Sequence, residues 1–212
     1  MCICRHNNHS SLYQRLFARF YDPFMAKFEE QVLLPRRRRL LGDLRGRTLE
    51  VGAGTGVNFQ FYGSETEVLA VEPSTAMLAV AQRKRQDARA KIQLLPAGIG
   101  DPVVLENIPG GGFDAIVCTL VLCTAPAPEQ VIDTLYQWLK PDGRLIVLEH
   151  IRTPDGWQKK FHRLINPVWR YFGEGCELTR PTDQFLREAG FSAEYENYFR
   201  TGLYFYEARL RK

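Results

Sequence analysis

Apolar and polar positions along this chain follow two rhythms in turn. From Tyr13 the apolar residues recur at helical spacing: Tyr13, Leu16, Phe17, Phe20, then Met25, Phe28 and Val32. The pattern predicts two amphipathic helices separated near Asp22-Pro23, and Pro35 can start a third that carries the arginines 36–39. Short apolar runs then take over. Thr48–Val51, Val68–Glu72, Lys91–Leu95, Phe113–Leu120 and Arg144–Glu149 read as strands, with helical patterns between most of them, notably Ser74–Ala88 and Glu129–Leu139. Pro141-Asp142-Gly143 marks a turn into the last of these strands. Such alternation implies right-handed crossovers and a parallel sheet covered by helices on both faces. The final third changes character. Asp155–Phe172 is aromatic-rich and insertion-like, and Thr182–Ala189 reads as a helix stopped by Gly190. Two alternating strands follow, one with Phe191, Ala193 and Tyr195, the other with Tyr204, Tyr206, Ala208 and Leu210.

Composition narrows the class without naming a function. At 212 residues the chain is expected to form one domain with a substantial core. A net charge of +4, part of it in Arg36–Arg39, suggests a local basic patch and no broad nucleic-acid-binding face. Two of the five cysteines, Cys118 and Cys123, lie inside an apolar run, where burial as thiols fits a reducing compartment. The start, Met1-Cys2-Ile3-Cys4-Arg5-His6, lacks an apolar signal core, and no window approaches membrane-spanning length. A cytoplasmic protein is the expectation. Cys2, Cys4, His6 and His9 match no common zinc spacing, so no metal site is expected.

The chain is organised around Leu49-Glu50-Val51-Gly52-Ala53-Gly54-Thr55-Gly56, an apolar run that breaks into glycines at every second position. A strand ending in such a turn lets the backbone approach a ligand closely, and a following helix start favours a negatively charged group. The dinucleotide fingerprint G-x-G-x-x-G requires its last glycine, or an alanine, where Val57 stands; here the spacing is G-x-G-x-G. Glu72 follows the apolar run Val68–Val71, twenty positions after Gly52, where a carboxylate can accept hydrogen bonds from both ribose hydroxyls. Pro73 and Ser74, a natural N-cap, then open the next helix.

These motifs resemble those of the class I S-adenosylmethionine-dependent methyltransferases. Gly52, Gly54 and Gly56 match the family's first motif and Glu72 its second. Gly112-Phe113-Asp114-Ala115-Ile116-Val117 matches the entry to the fourth strand, and Leu139-Lys140-Pro141-Asp142-Gly143-Arg144-Leu145 the turn into the fifth. Within that superfamily, Cys118-Thr119-Leu120-Val121-Leu122-Cys123, Leu148-Glu149-His150 and Gly175-Cys176-Glu177-Leu178-Thr179-Arg180 look like the methyltransferase-like thiol S-methyltransferases and their bacterial relatives. Quinone-biosynthesis C-methyltransferases and phospholipid N-methyltransferases are more distant look-alikes. The resemblance implies an α/β fold: a Rossmann-like, seven-stranded, mostly parallel sheet with helices on both faces and a final antiparallel strand pair. It divides one domain into an N-terminal helical lid (1–46), a donor-binding half (47–150) and an insertion with closing strands (151–212). The implied donor is S-adenosylmethionine, and the implied acceptor a small, fairly apolar molecule, with thiol favoured over phenol, quinone, amine or phospholipid. A donor-binding regulatory protein without turnover is the non-enzyme alternative.

The resemblance also implies site residues. The donor would be held by Glu50, Gly52, Ala53, Gly54, Glu72, Pro73, Gly98 and Ile99, with Thr119 and Leu120 beside it at the end of the fourth strand. Many relatives carry an Asp after the third strand to hold the adenine amino group; the matching region here is Pro96-Ala97-Gly98-Ile99-Gly100. Tyr21 covers the donor or packs the core, Asn58 caps the glycine-turn helix or touches the donor, and Met77 packs the core or lies near adenine. His150 is a general base or a structural histidine bonded to its loop. Trp157, Phe161, Trp169, Tyr171 and Phe172 line an acceptor pocket or form plain core. The leading helices form a lid, a membrane-surface helix or a dimer contact, and the lid is favoured.

Overall fold

The computed structural model describes residues 12–154, 156–173 and 175–212. Cys2, Cys4, His6 and His9 lie outside them. The strands are β1 (Gly46–Val51), β2 (Thr66–Val71), β3 (Lys91–Leu95), β4 (Phe113–Thr119), β5 (Leu139–Ile151), β6 (Ser192–Thr201) and β7 (Leu203–Arg211). They form a seven-stranded sheet of order β3-β2-β1-β4-β5-β7-β6. The helices are α1 (Leu12–Phe28), α2 (Leu34–Leu41), α3 (Thr75–Lys84), α4 (Pro102–Leu105), α5 (Pro128–Trp138), α6 (Trp157–Phe172) and α7 (Thr182–Glu188). By internal contacts the chain divides into two compact units, one ending at Ala115 and the other starting at Ile116.

In the first unit β1, β2 and β3 pair in parallel, with Thr48 opposite Val68 and Val68 opposite Ile92. The inner stretches of β1 and β2 are continuously buried, as expected of parallel strands covered on both faces. The N-terminal segment departs from its sequence pattern. There is no break at Pro23: α1 runs through it. The ladder instead slips by one residue over Glu29–Leu33, where the N–H of Leu34 reaches the carbonyl of Glu29 just before Pro35, which has no N–H to give. Leu33, Leu40 and Leu41 are fully buried, and Arg37 is 4% exposed, so the arginine run is not a uniform surface patch. The glycine turn leads into a short 3-10 segment, Val57–Phe61, with no side-chain cap.

In the second unit β5 pairs antiparallel with β7, His150 opposite Phe205, and β7 returns to β6 through a tight turn at Gly202. Pro141-Asp142-Gly143 belongs to the extended start of β5, with Pro141 and Asp142 exposed and Gly143 buried, and the pairing with β7 begins at Arg144. The helix α5 buries Val131, Ile132, Leu135 and Trp138 at helical spacing. In contrast, α6 leaves Trp157, Leu164, Val168 and Tyr171 exposed.

Candidate functional site

The first unit holds a glycine turn braced from three directions. Gly52, Gly54 and Gly56 have φ of 63°, 56° and 75°, a region that costs other L-residues roughly 1–2 kcal/mol. A Cβ on Gly54 would meet nothing closer than 4.0 Å, so the backbone there is open to approach. A Cβ on Gly56 would stand 2.5 Å from the Phe59 ring, so this glycine answers to packing as well as to φ. The Glu72 carboxylate spans the turn: Oε2 accepts from the N–H of Gly54 at 3.0 Å and Oε1 from the N–H of Ser74 at 2.8 Å. A carboxylate offers about four lone-pair directions, the acceptor type that ribose hydroxyls require. Ser74 caps α3, its Oγ accepting from the N–H of Met77 at 3.3 Å.

Behind the turn runs a buried polar chain. Glu50 Oε1 accepts from Asn58 Nδ2 at 2.8 Å, and Oε2 accepts from the Tyr62 hydroxyl at 2.9 Å. Asn58 Oδ1 accepts from Arg37 at 2.7 Å, and the rest of that guanidinium grips both oxygens of Glu29 at 3.1 and 2.9 Å. Burial pushes the Glu50 carboxyl up to about 7 against the pull of Asn58, Tyr62 and Arg37. From α1, Asp22 accepts from the Thr55 hydroxyl at 2.7 Å and from Lys84 at 2.6 Å, tying the N-terminal helix to the glycine turn and to α3. After β3, Ala97, Gly98 and Ile99 are buried, and Asp101 turns back to accept from the N–H of Gly98 at 2.6 Å.

The second unit gathers a different set of groups. Leu120, just after β4, is the described non-glycine residue with positive φ (56°), and its N–H reaches the carbonyl of Leu148 at 2.9 Å. The next three N–H groups, of Val121, Leu122 and Cys123, all point at Glu149, at 2.8, 2.9 and 3.4 Å. Burial raises the Glu149 carboxyl, and these N–H groups oppose it. Arg180 donates to the carbonyls of Leu122 and Ala125 at 2.6 and 2.5 Å, and the N–H of Glu177 reaches the carbonyl of Cys123 at 3.0 Å. Three side chains meet on this frame: the reactive atoms of Cys123, His150 and Cys176 lie within 4.8 Å of one another. His150 Nε2 is 2.7 Å from Cys176 Sγ, which also accepts from Trp169 Nε1 at 3.2 Å. The Cys123 thiol, together with His150 and Trp169, holds the Cys176 thiol well below the ordinary range against burial, while Cys123 itself is raised.

The methyltransferase domain pattern matches residues 25–196. This chain belongs to the methyltransferase domain family. Thiol S-methyltransferase TMT1B of Rattus norvegicus is 33% identical over 157 residues, covering 71% of this chain and 64% of that protein. Its human counterpart is 31% identical over 166 residues, covering 74% and 68%. The chain thus spans just under two thirds of the rat protein's own length. Among solved structures, N-methyltransferase NodS from Bradyrhizobium japonicum overlays with a TM-score of 0.60 at 16% identity, covering 91% and 98% of the two chains, a likeness of fold. Family and fold are those of the S-adenosylmethionine-dependent methyltransferases, whose methyl donor is S-adenosylmethionine.

In this methyltransferase, Gly52, Ala53, Gly54 and Glu72 come together in one turn, and the adjoining Pro73 is exposed. Asn58 is no cap: it is buried and bridges Glu50 to Arg37. Glu50 is 2% exposed and stands behind the turn. Met77 is half-buried on α3, and Tyr21 is half-buried with its ring 5.5 Å from Phe17. Thr119 and Leu120 are half-buried where β4 ends. Of the described aromatics in α6, Trp169 reaches the sulfur cluster, while Trp157, Phe161 and Tyr171 are exposed and so are not core. Sequence reasoning passed over Asp22, Asp101, Glu149 and Cys176. Asp101 stands one residue beyond the segment searched for an acid. The other signal was already visible: the three stretches that carry the thiol-methyltransferase resemblance fold into the one cluster around Glu149 and Cys176.

Proposed function

We propose that this methyltransferase transfers the methyl group of S-adenosylmethionine to the sulfur of a small, fairly apolar thiol. The observation that supports it is the convergence just described: Cys118–Cys123, Leu148–His150 and Gly175–Arg180 meet around a buried sulfur–imidazole cluster. Two relatives at about 30% identity carry the name thiol S-methyltransferase. In the donor half, the open backbone at Gly54 and the carboxylate of Glu72 suit an uncharged sugar edge, and Asp22 ties α1 down as a lid.

The chemistry asks little of the protein beyond alignment and dryness. The acceptor sulfur attacks the methyl carbon in line, the donor's C–S bond breaks, and the leaving thioether departs neutral. Good alignment contributes up to about 7–11 kcal/mol. A thiolate is soft and weakly hydrated, so its desolvation costs little, and a free thiol with a pKa near 8.5 is already partly ionised at neutral pH (about 3%).

The test is a panel of thiols, phenols, amines and phospholipids with methyl-labelled donor; thiols are expected to be methylated fastest. Faster transfer to phenols or amines would remove the thiol reading and leave the methyltransferase. For the donor half, Glu72→Ala should weaken S-adenosylmethionine binding in calorimetry by about 1.5–3 kcal/mol, the worth of hydrogen bonds to a charged acceptor.

A further inference from the structure

We propose that Cys123, His150 and Cys176 form a binding site for a thiophilic divalent cation of the zinc class, with three protein ligands and a fourth position open to an exogenous thiol. The ligand set is Cys2His, the soft-ligand combination that holds zinc with one position left for substrate. The donor atoms come from three elements far apart in sequence, yet all lie within 4.8 Å of one another. Cys123 and His150 are 1% and 5% exposed, and Cys176 is half-buried, so any opening lies on the Cys176 side.

The surroundings are those of a prepared site. Two buried charges secure the loop that carries Cys123: Glu149 takes the N–H groups of residues 121–123, and Arg180 takes the carbonyls of Leu122 and Ala125. Burying charged groups to hold a loop is costly, and it fixes the position of the side chain that the loop presents. The N–H of Glu177 on the Cys123 carbonyl locks the segment bearing Cys176 to that loop. Trp169 donates to Cys176 Sγ at 3.2 Å, the kind of outer hydrogen bond that orients a metal-bound sulfur. His150 and Cys176 are now 2.7 Å apart, and both must move apart slightly to accept an ion.

The role of the open position rests on the thiol reading above. A thiol bound there would lose its proton to water and be held as a thiolate, the form that accepts a methyl group.

The whole chain is stripped with chelator and titrated with Co2+, which substitutes for zinc and reports on its ligands. The expected result is one equivalent bound, with a sulfur-to-cobalt charge-transfer band and the visible bands of tetrahedral cobalt. Cys176→Ser and His150→Gln should each lose at least about tenfold in Co2+ affinity, with circular dichroism confirming that they fold. The double variant Cys2→Ser/Cys4→Ser should keep both sets of bands. Absence of these bands in the native chain, or their survival in both cluster variants, overturns the site. Adding 2-mercaptoethanol should shift the visible bands; no shift leaves no exogenous thiol at the fourth position and overturns that half of the proposal. Cobalt binding without thiol turnover would sink the thiol reading and keep the site; thiol turnover without cobalt binding would do the reverse.

Discussion

Each unit buries a glutamate near the end of a strand, and the two are satisfied in opposite ways. Glu50, in β1, is held by side chains: Asn58 and Tyr62 donate to it, and Arg37 stands behind Asn58. Glu149, in β5, is held by the N–H groups of Val121, Leu122 and Cys123. Burial raises both carboxyls. The contrast separates two jobs. A carboxylate bound by side chains cements the elements that those side chains come from, here α2 and the segment after the glycine turn. A carboxylate bound by consecutive N–H groups dictates the path of one loop, and so aims whatever that loop carries. The first unit thus uses its buried charge for cohesion and the second unit uses it for aim.

The largest effect expected from breaking this comparison is at Arg37. Arg37→Ala leaves Glu29 buried and unpaired and strips the Asn58 carbonyl of its donor, so urea denaturation should register a loss of about 3–5 kcal/mol. A loss below about 1 kcal/mol would mean that the chain of polar groups does not cement the first unit.

Glu50 gives a smaller effect with a pH signature. Its carboxyl lies near 7 in the folded chain against an ordinary 4.5. Stability from this group is therefore fully present below pH 4.5 and is lost as pH rises through about 7; the gap corresponds to about 3 kcal/mol. Glu50→Gln cannot ionise and should flatten that slope, being less stable than the native chain in acid and gaining on it as pH rises from about 4.5 to about 7. Parallel melting curves for the two proteins from pH 5 to about 8.5, a range that brackets most of this titration, would contradict the assignment.

Glu149→Ala should act locally instead. Amide exchange at Leu122 and Cys123 is expected to accelerate by about 1–3 kcal/mol of lost protection, while β1 and β2 stay protected. Uniform acceleration across both units would erase the distinction between cohesion and aim. The smallest effect is at Asp22, whose ion pair with Lys84 is about one-third exposed on each side. Asp22→Ala should cost under about 1 kcal/mol of stability, yet speed donor release in stopped-flow if α1 is the lid.

Legibility in the sequence followed the range of the forces involved. The inner strands were readable because burial on both faces leaves an unbroken local record, as in β1 and β2, and Lys91–Leu95 is a strand over those same residues. The glycine turn with Glu72 was readable because φ and the strand-to-helix order are also local. The helix start misled. Pro23 predicts a break only if local preference rules, and here α1 runs through it with Asp22, the residue before, tied to Thr55 and Lys84. The inward turn of Arg37 was invisible because nothing in Arg36–Arg39 distinguishes one arginine from the next; its partners lie 8 and 21 residues away. The sulfur cluster was legible only as a resemblance, since it brings together residues 26 positions apart.

The contact between Gly56 and Phe59 has a consequence for how this sequence can drift. Position 56 needs a residue that tolerates a φ of 75° and leaves room for a ring whose Cε2 would stand 2.5 Å from any Cβ. Phe59, 1% exposed, is in turn one of the largest fully buried side chains. Neither residue is free to change alone. An alanine at 56 requires a smaller residue at 59, and a smaller residue at 59 opens a cavity costing about 3–5 kcal/mol. In a family tree of this protein the two sites would move as a linked pair or stay fixed together. The third glycine of the turn would then persist in lineages that had lost methyl transfer altogether, for as long as they kept this core.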